Sequence, residues 1–461
     1  MRKFIDRVSE MEALKKEYER TGASFVVIYG RRRVGKTALI NEFCKDKRAL
    51  TFLATEENEK ENRETFKNNV AEFCTNELLA ASRVEKWETI FDVIVQYSRE
   101  SKDKVVVVID EFQYLGKANK SFPSIMMGIW DKKLKDSNIM LIVCGSLINM
   151  MTAQVLSYDS PLYGRRTAQM RIGQIPFSFY AEFFPDLSED ECILRYAVTG
   201  GVPKYIELFD DNVDIYKAIR ENVMSRNAFL YAEPEFLLQK EVSEIGSYFS
   251  LLKTIAAGNH KLGKIAAIME TPQTSLTKYL KVLSELDIVE REVPVTEENP
   301  EKSKKGLYDI KDNFIKFWFK FIYPYKGMLE AGQDAYVMQK IRASFIENHV
   351  SYIYEDICRE KVWCLNGKGM EFNRVGRWWD SSDVEIDIVA YDSMGKDILF
   401  GECKYSINKK GMDVLRQLQR KAAAVPWNRN ERDEYFVIFS RSGFEDELIR
   451  YADEHDNVRL I

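Results

Sequence analysis

The nine residues Gly30, Arg31, Arg32, Arg33, Val34, Gly35, Lys36, Thr37 and Ala38 have the types and spacing needed to hold a string of phosphates. In Gly30-x-x-x-x-Gly35-Lys36-Thr37 the glycines let backbone N–H groups close around phosphate oxygens, and the helix opening at Ala38 adds partial positive charge. Lys36 can reach the β- and γ-phosphates of ATP, and the Thr37 hydroxyl can ligate magnesium. A second pair, Asp110-Glu111, closes the apolar run "KVVVVIDEF". Asp110 suits the magnesium, directly or through water, and Glu111 suits polarisation of an attacking water. Ser146, ending "IMLIVCGS", offers a polar group that can sense the γ-phosphate.

A separate set of polar residues stands far downstream. In "VEIDIVAYD", Glu385 and Asp387 share the face opposite Ile386 and Ile388; in "DILFGECKY", Glu402 and Lys404 share a face opposite Cys403. If the two segments pair, Asp387 and Glu402 converge on one divalent cation. Two carboxylates completed by water and phosphate oxygens suit magnesium, which keeps several waters. Lys404 would then orient the hydrolytic water and stabilise charge developing on a phosphate. Glu355, within "YEDICRE", supplies a third acidic group from a helix. The alternative is a salt-bridge cluster in a docking module.

The elements that must position these groups follow from the hydrophobic pattern. The β-branched run 25–29 is a strand feeding the phosphate loop, and the continuous apolar runs before Asp110 and Ser146 read as buried parallel strands with the site at their carboxyl ends. "YGRRTAQM" offers Arg165 and Arg166, either phosphate-facing or in surface salt bridges, and "TGGVPKYI" breaks a helical region with Gly200, Gly201 and Pro203.

From about 240 to 325 short helices predominate. "SYFSLLKTIAAG", "KLGKIAAIME" and "TSLTKYLKVLSELDIV" precede two strands, "IVEREVPV" and "GLYDI", around the charged loop "TEENPEKSKKG". Thr271 is the expected N-cap before Pro272. Three helices and a hairpin resemble a winged helix-turn-helix, with 273–286 as its recognition-type helix. Lys278, Lys281, Lys302, Lys304 and Lys305 can meet DNA phosphates, but Glu285, Asp287, Glu297, Glu298 and Glu301 surround them, so a protein dock stays equally open. Beyond the aromatic segment 317–327 come a helix over 335–360, two strands, and an alternation of helix and strand to the end. Arg377, Trp378 and Trp379 in "GRWWD" suit hydrophobic packing or stacking on bases.

Composition narrows the class. The 461 residues are 45% hydrophobic and 30% charged, with 67 basic against 72 acidic side chains and a net charge of -5. Such a chain builds several cores, and any nucleic-acid surface on it is a local patch. Apolar runs are too short to span a bilayer, and "MRKFIDRVSE" has no secretory h-region. Seven scattered cysteines without a C-x-x-C pair fit reduced thiols, so the expected compartment is cytoplasmic.

"FIDRVSEMEAL", "GRRRVGKT", "VVVVIDEF", "IVCGS", "GRR" and "GGVPKY" occur in the order seen in a prokaryotic, mainly archaeal, ATPase family related to the AAA+ and STAND ATPases. The first half of the chain resembles that family. The resemblance implies that Phe4 and Arg7 lie near the nucleotide and that Gly201 and Pro203 lie at a lid. Residues 335–461 resemble the PD-(D/E)xK nuclease superfamily, with Asp387 in the Asp position and Glu402-Cys403-Lys404 as the E-x-K. The same resemblance implies a supporting role for Gln417, although isoleucine rather than proline precedes Asp387.

The expected fold is α/β and multidomain. It comprises an AAA+-like parallel sheet (1–170), a helical lid (171–238), a winged helix-turn-helix (239–325) and a restriction-endonuclease-like α/β domain (335–461). The expected function is an ATP-hydrolysing regulatory ATPase coupled to a magnesium-dependent DNA nuclease. The alternative is an ATP-dependent switch, or a DNA- or protein-binding regulator, with a non-cleaving domain. Nucleotide and DNA are the expected partners, no membrane is, and a homo-oligomer or a regulatory protein is left open.

Overall fold

The computed structural model describes residues 4–242, 244–367, 370–380 and 384–461. The chain divides into two compact units, one running to Ile175 and taking in Val202–Lys204, the other formed by the remainder.

In the first unit, α1 (Val8–Glu19), β1 (Ser24–Tyr29), α2 (Lys36–Cys44), β2 (Ala49–Leu53), α3 (Glu59–Phe73), α4 (Trp87–Glu100), β3 (Val105–Asp110), β4 (Ile139–Gly145) and β5 (Ala168–Arg171) build a sheet covered on both faces. All five strands are parallel, in the order β2-β3-β4-β1-β5. Period-two alternation sorts the side chains of β1. Phe25 and Val27 pack with Phe66 and Phe91 of α3 and α4, while Val26 and Ile28 pack with Leu14, Leu39 and Phe43 of α1 and α2. Each fully buried side chain of this kind contributes roughly 1.5–3 kcal/mol. The expected continuous apolar strands are therefore present, and β4 lies between the phosphate-loop strand and the acidic strand. The compact unit extends past residue 170 because β5, pairing with β1 from Val26↔Ala168 to Tyr29↔Arg171, straddles that boundary.

The second unit opens with helices, among them α5 (Glu189–Thr199), started by a Ser188–Glu191 capping box. Next come α6 (Ile245–Ala256), α7 (Leu262–Ile268), α8 (Gln273–Glu285) and the antiparallel pair β6 (Val289–Glu292) and β7 (Leu307–Ile310). An isolated bridge, Lys261↔Leu307, adds a third short pairing. Thr271 does not cap α8. The N-cap is Pro272, and the Thr271 hydroxyl turns back to donate to the Met269 carbonyl at 2.9 Å.

A helical run then covers α9 (Asp334–Phe345), a wide turn at Ile346–Val350, and α10 (Ser351–Val362). It leads to a mixed sheet of β8 (Arg374–Trp379), β9 (Glu385–Tyr391), β10 (Asp397–Lys404), β11 (Asp433–Ser440) and β12 (Val458–Leu460), in the order β12-β11-β10-β9-β8. β9 is antiparallel to β8 and β10, whereas β10, β11 and β12 are parallel. Helices α11 (Met412–Ala422) and α12 (Asp446–Glu454) connect the parallel strands. "GRWWD" is thus part of an edge strand: Trp378 sits in the core and the Arg377 guanidinium lies 5.9 Å from the Trp379 ring.

Among the described residues, no helix is long and apolar enough to cross a membrane.

Candidate functional site

The loop between β1 and α2 begins and ends with glycines for steric and conformational reasons. A Cβ on Gly30 would lie 2.3 Å from the Ile172 carbonyl oxygen, and Gly35 has φ +96°, a region that favours glycine. The Lys36 ammonium is buried and curls back to donate to the carbonyls of Gly30 (2.9 Å) and Arg31 (2.8 Å). Burial lowers its pKa, against the opposing fields of Cys144, Glu111 and Asp110. A buried cation held by loop carbonyls at a helix N-terminus fits a phosphate chain, and Thr37 and Ala38 are exposed at the same mouth.

Asp110, at the end of β3, is buried and accepts from the Thr37 hydroxyl at 3.0 Å and from the Glu111 N–H at 2.9 Å. Thr37 and Asp110 offer adjacent hard oxygen donors, as a magnesium accompanying the nucleotide requires. Glu111 has φ +54° and turns its carboxylate onto Ser146, whose hydroxyl lies 2.7 Å from Oε2 and 2.9 Å from Oε1; Gln113 also donates to Oε2. Arg32 reaches the same group, with Nε 3.4 Å from Ser146 Oγ and Nη2 2.8 Å from the Tyr114 hydroxyl. Ser146 is therefore engaged with Glu111. Gln113 and Tyr114 escaped the sequence reading, although their positions two and three residues after Glu111 were a usable signal.

Arg7 is buried, has φ +69°, and donates to the carbonyls of Val34 (3.1 Å) and Gly173 (2.6 Å). It braces the phosphate loop from its protein side. Pro203 Cγ would lie 3.8 Å from a Cβ on Gly35, so Pro203 sits beside the loop. Arg165 is not phosphate-facing: its guanidinium pairs with Asp131, Nη2 at 2.9 Å, and donates to the Pro161 carbonyl at 2.8 Å. Arg166 stacks 5.3 Å from the Tyr163 ring.

The second unit brings together the other predicted set. The β9–β10 ladder ends at Gly401↔Ile388, which makes Asp387 and Glu402 neighbours just beyond it. Asp387 Oδ2 accepts the Cys403 N–H at 2.8 Å, while burial and then the Glu402 charge raise its pKa. Glu355, on α10, is pushed up to about 8, first by burial and next by Asp387. Glu402 is only 3% exposed. Its Oε1 accepts from Lys404 Nζ at 2.7 Å, and Lys421 Nζ spans both of its oxygens at 3.0 and 2.9 Å. Burial disfavours the Lys404 ammonium, but Glu402 outweighs this and raises its pKa.

Lys421 was missed, and the expected Gln417 is exposed one helical turn earlier on α11. The i, i+4 relation between them was the available signal. Oxygen donors of the kind magnesium prefers are present, and with Lys404 and Lys421 seated on Glu402 both of its oxygens are taken by ammonium groups. Among the described residues, no group of three or more His, Cys, Asp or Glu side chains is placed to hold a metal. Arg377 joins Glu292 of β6 (2.9 Å) to Glu385 of β9. On α8 and the hairpin, Lys281 pairs with Glu285 (3.9 Å) and Lys305 with Glu297 (2.6 Å), while Lys278, Lys302 and Lys304 are exposed.

A family profile described as an ATPase domain predominantly from Archaea matches residues 4–209. "Uncharacterized protein MJECL04" of Methanocaldococcus jannaschii is 34% identical over 444 residues, covering 95% of each chain. The chain belongs to the archaeal P-loop ATPase family. The parallel sheet is the fold of such an ATPase, and the Lys36 cradle and the Thr37–Asp110 contact lie at the carboxyl ends of its strands. A second profile, of archaea bacterial proteins of unknown function, matches residues 318–414. The Walker-type ATPase PABY2304 of Pyrococcus abyssi shares the fold, with a TM-score of 0.53 and 19% identity, covering 69% of this ATPase and 96% of that chain. The ORC2 protein of Aeropyrum pernix aligns at a TM-score of 0.46 and 14% identity, covering 75% and 97%.

Proposed function

We propose that this ATPase regulates a phosphodiester-cleaving domain in its own chain. Its parts would be the ATPase core, a helical lid over 171–238, a DNA-contacting winged helix over 239–325, and a PD-(D/E)xK-type nuclease domain over 335–461. The carrying observation is the meeting of Asp387, Glu402, Lys404 and Glu355 at the end of one hairpin, in a chain that also has a complete phosphate loop.

In the ATPase, ATP would supply the γ-phosphoryl group, and a magnesium bound with it would neutralise the charge developing there. Lys36 leaves the Gly30 and Arg31 carbonyls to contact phosphate oxygens, the loop N–H groups of residues 31–38 cradle the chain of phosphates, and Thr37 and Asp110 are the residues that would hold the metal. Glu111, once released by Ser146 and Gln113, accepts the proton of the attacking water at its carboxylate. Ser146, freed in the same step, turns toward the γ-phosphate. Arg7 keeps the loop in shape, and Pro203 moves with the lid.

DNA is the proposed substrate of the second unit, docked through Lys278, Lys302 and Lys304. The test is incubation with plasmid DNA and magnesium or manganese, with and without ATP. Nicking that disappears in Asp387→Ala and Glu402→Ala supports cleavage. A second function, an ATP-dependent switch that binds DNA or protein without cutting, is favoured by the two lysines that close Glu402. Lack of nicking in every nucleotide condition, with DNA binding that changes on ATP addition, would establish it.

A further inference from the structure

Glu402 is buried and is spanned by an ammonium through both oxygens. Lys421 Nζ is 3.0 Å from Oε1 and 2.9 Å from Oε2, whereas Lys404 Nζ touches Oε1 alone. The two lysines also come from different elements. Lys404 shares β10 with Glu402 and is fixed by the pleat. Lys421 is in the last turn of α11, so its four-carbon stem alone carries the charge to the sheet. Beside this pair, Asp387 keeps Oδ2 on the Cys403 N–H, and Arg359 donates to the Asp387 carbonyl at 3.1 Å.

A divalent ion shared by Asp387 and Glu402 would have to use Glu402 oxygens that Lys421 already spans. An ammonium and a dication within about 3–4 Å of each other repel strongly in a partly desolvated site. Lys421, which spans both oxygens, and a metal bound through them therefore exclude each other at Glu402. Removal of Lys421 would leave Glu402 Oε2 without a cation beside the Asp387 charge, with Lys404 on Oε1 alone.

We propose that Lys421 is the resident cation of this site, holding Glu402 in place of a divalent metal and excluding the metal until the side chain swings away. This rests on the proposed PD-(D/E)xK-type nuclease domain, in which Asp387 and Glu402 would hold a metal. It makes Lys421 a positioning residue whose displacement opens the site.

The test is a manganese titration of the full-length protein without nucleotide, with free Mn²⁺ read by electron paramagnetic resonance. All samples carry Asp110→Asn to remove the phosphate-loop carboxylate. Lys421→Met and Lys421→Gln should each bind one ion about tenfold more tightly than the parent, the gain expected if the parent site is open a tenth of the time. Lys404→Met should give no such gain, and adding Asp387→Asn should abolish it. Because the variants can lose structure, a second measurement uses wild-type protein. Acetic anhydride labelling, read by peptide mass spectrometry, should modify Lys421 more rapidly when Mn²⁺ is present. Parent and Lys421 variants binding Asp387-dependent Mn²⁺ equally, or Lys421 labelling unchanged by Mn²⁺ that does bind, would overturn the role of Lys421 and leave the metal site standing. Absence of any Asp387-dependent Mn²⁺ in parent and variants would overturn both.

Discussion

The Ser146 hydroxyl holds the Glu111 carboxylate, 2.7 Å from Oε2 and 2.9 Å from Oε1, so the proposed base is tied to the end of the neighbouring strand. Glu111→Gln keeps the shape and the Ser146 contact but removes the proton acceptor. ATP binding should persist while hydrolysis falls by about 100-fold or more. Filter binding and phosphate release, measured on the same preparation, check both halves; normal hydrolysis would exclude Glu111 as the base.

Lys36→Ala removes the buried ammonium now held by the Gly30 and Arg31 carbonyls. Nucleotide affinity should drop by about 100-fold, near 3 kcal/mol, and the melting temperature should fall because two buried carbonyls lose their donor. Calorimetric titration with ATP and a thermal melt measure the two effects.

Much of this was legible in the sequence because the signals are local. The glycine spacing, the apolar strands ending in Asp110 and Ser146, and the alternation that puts Glu402 and Lys404 on one face all survive in the fold. What spacing could not give was how elements meet. The placement of β4 between β1 and β3 has no signature within either strand. The rotation of α11 against the sheet decides that Lys421, not Gln417, reaches Glu402, and both residues lie on one helical stripe. Short edge strands are weakly signalled too, which is why "GRWWD" read as a packing or stacking segment.

Arg377 links Glu292 of the β6–β7 hairpin to Glu385 of the neighbouring sheet, with its side chain 17% exposed. Arg377→Met would leave Glu292 half-buried and unpaired. A loss of about 3 kcal/mol is expected, read as a lower denaturant midpoint. A smaller loss in Arg377→Lys than in Arg377→Met would indicate that charge, rather than bulk, is what matters.

Glu290, on β6, is pushed up to about 7 from its ordinary 4.5, first by burial and then by Asp356 and Glu292, with Lys311 opposing and Asp309 adding. The raised value means that the folded state holds a proton the unfolded chain has released. The associated stability is full below about pH 4.5 and is lost as pH rises through about 7. Glu290→Gln should therefore remove this loss, stabilising the protein at pH 8 by about 1–3 kcal/mol relative to wild type and much less at pH 4.5. Urea unfolding at the two pH values tests it; equal effects would mean that the fold does not raise the Glu290 pKa.

The most direct measurement of the central proposal is plasmid nicking by wild type, Lys36→Ala, Asp387→Ala and Glu402→Ala proteins, with manganese or magnesium, with and without ATP. The account predicts metal-dependent nicking by wild type that responds to ATP. Lys36→Ala should lose the ATP response, and both carboxylate variants should lose nicking while still hydrolysing ATP. Intact plasmid under every condition, or nicking that survives in both carboxylate variants, would contradict it.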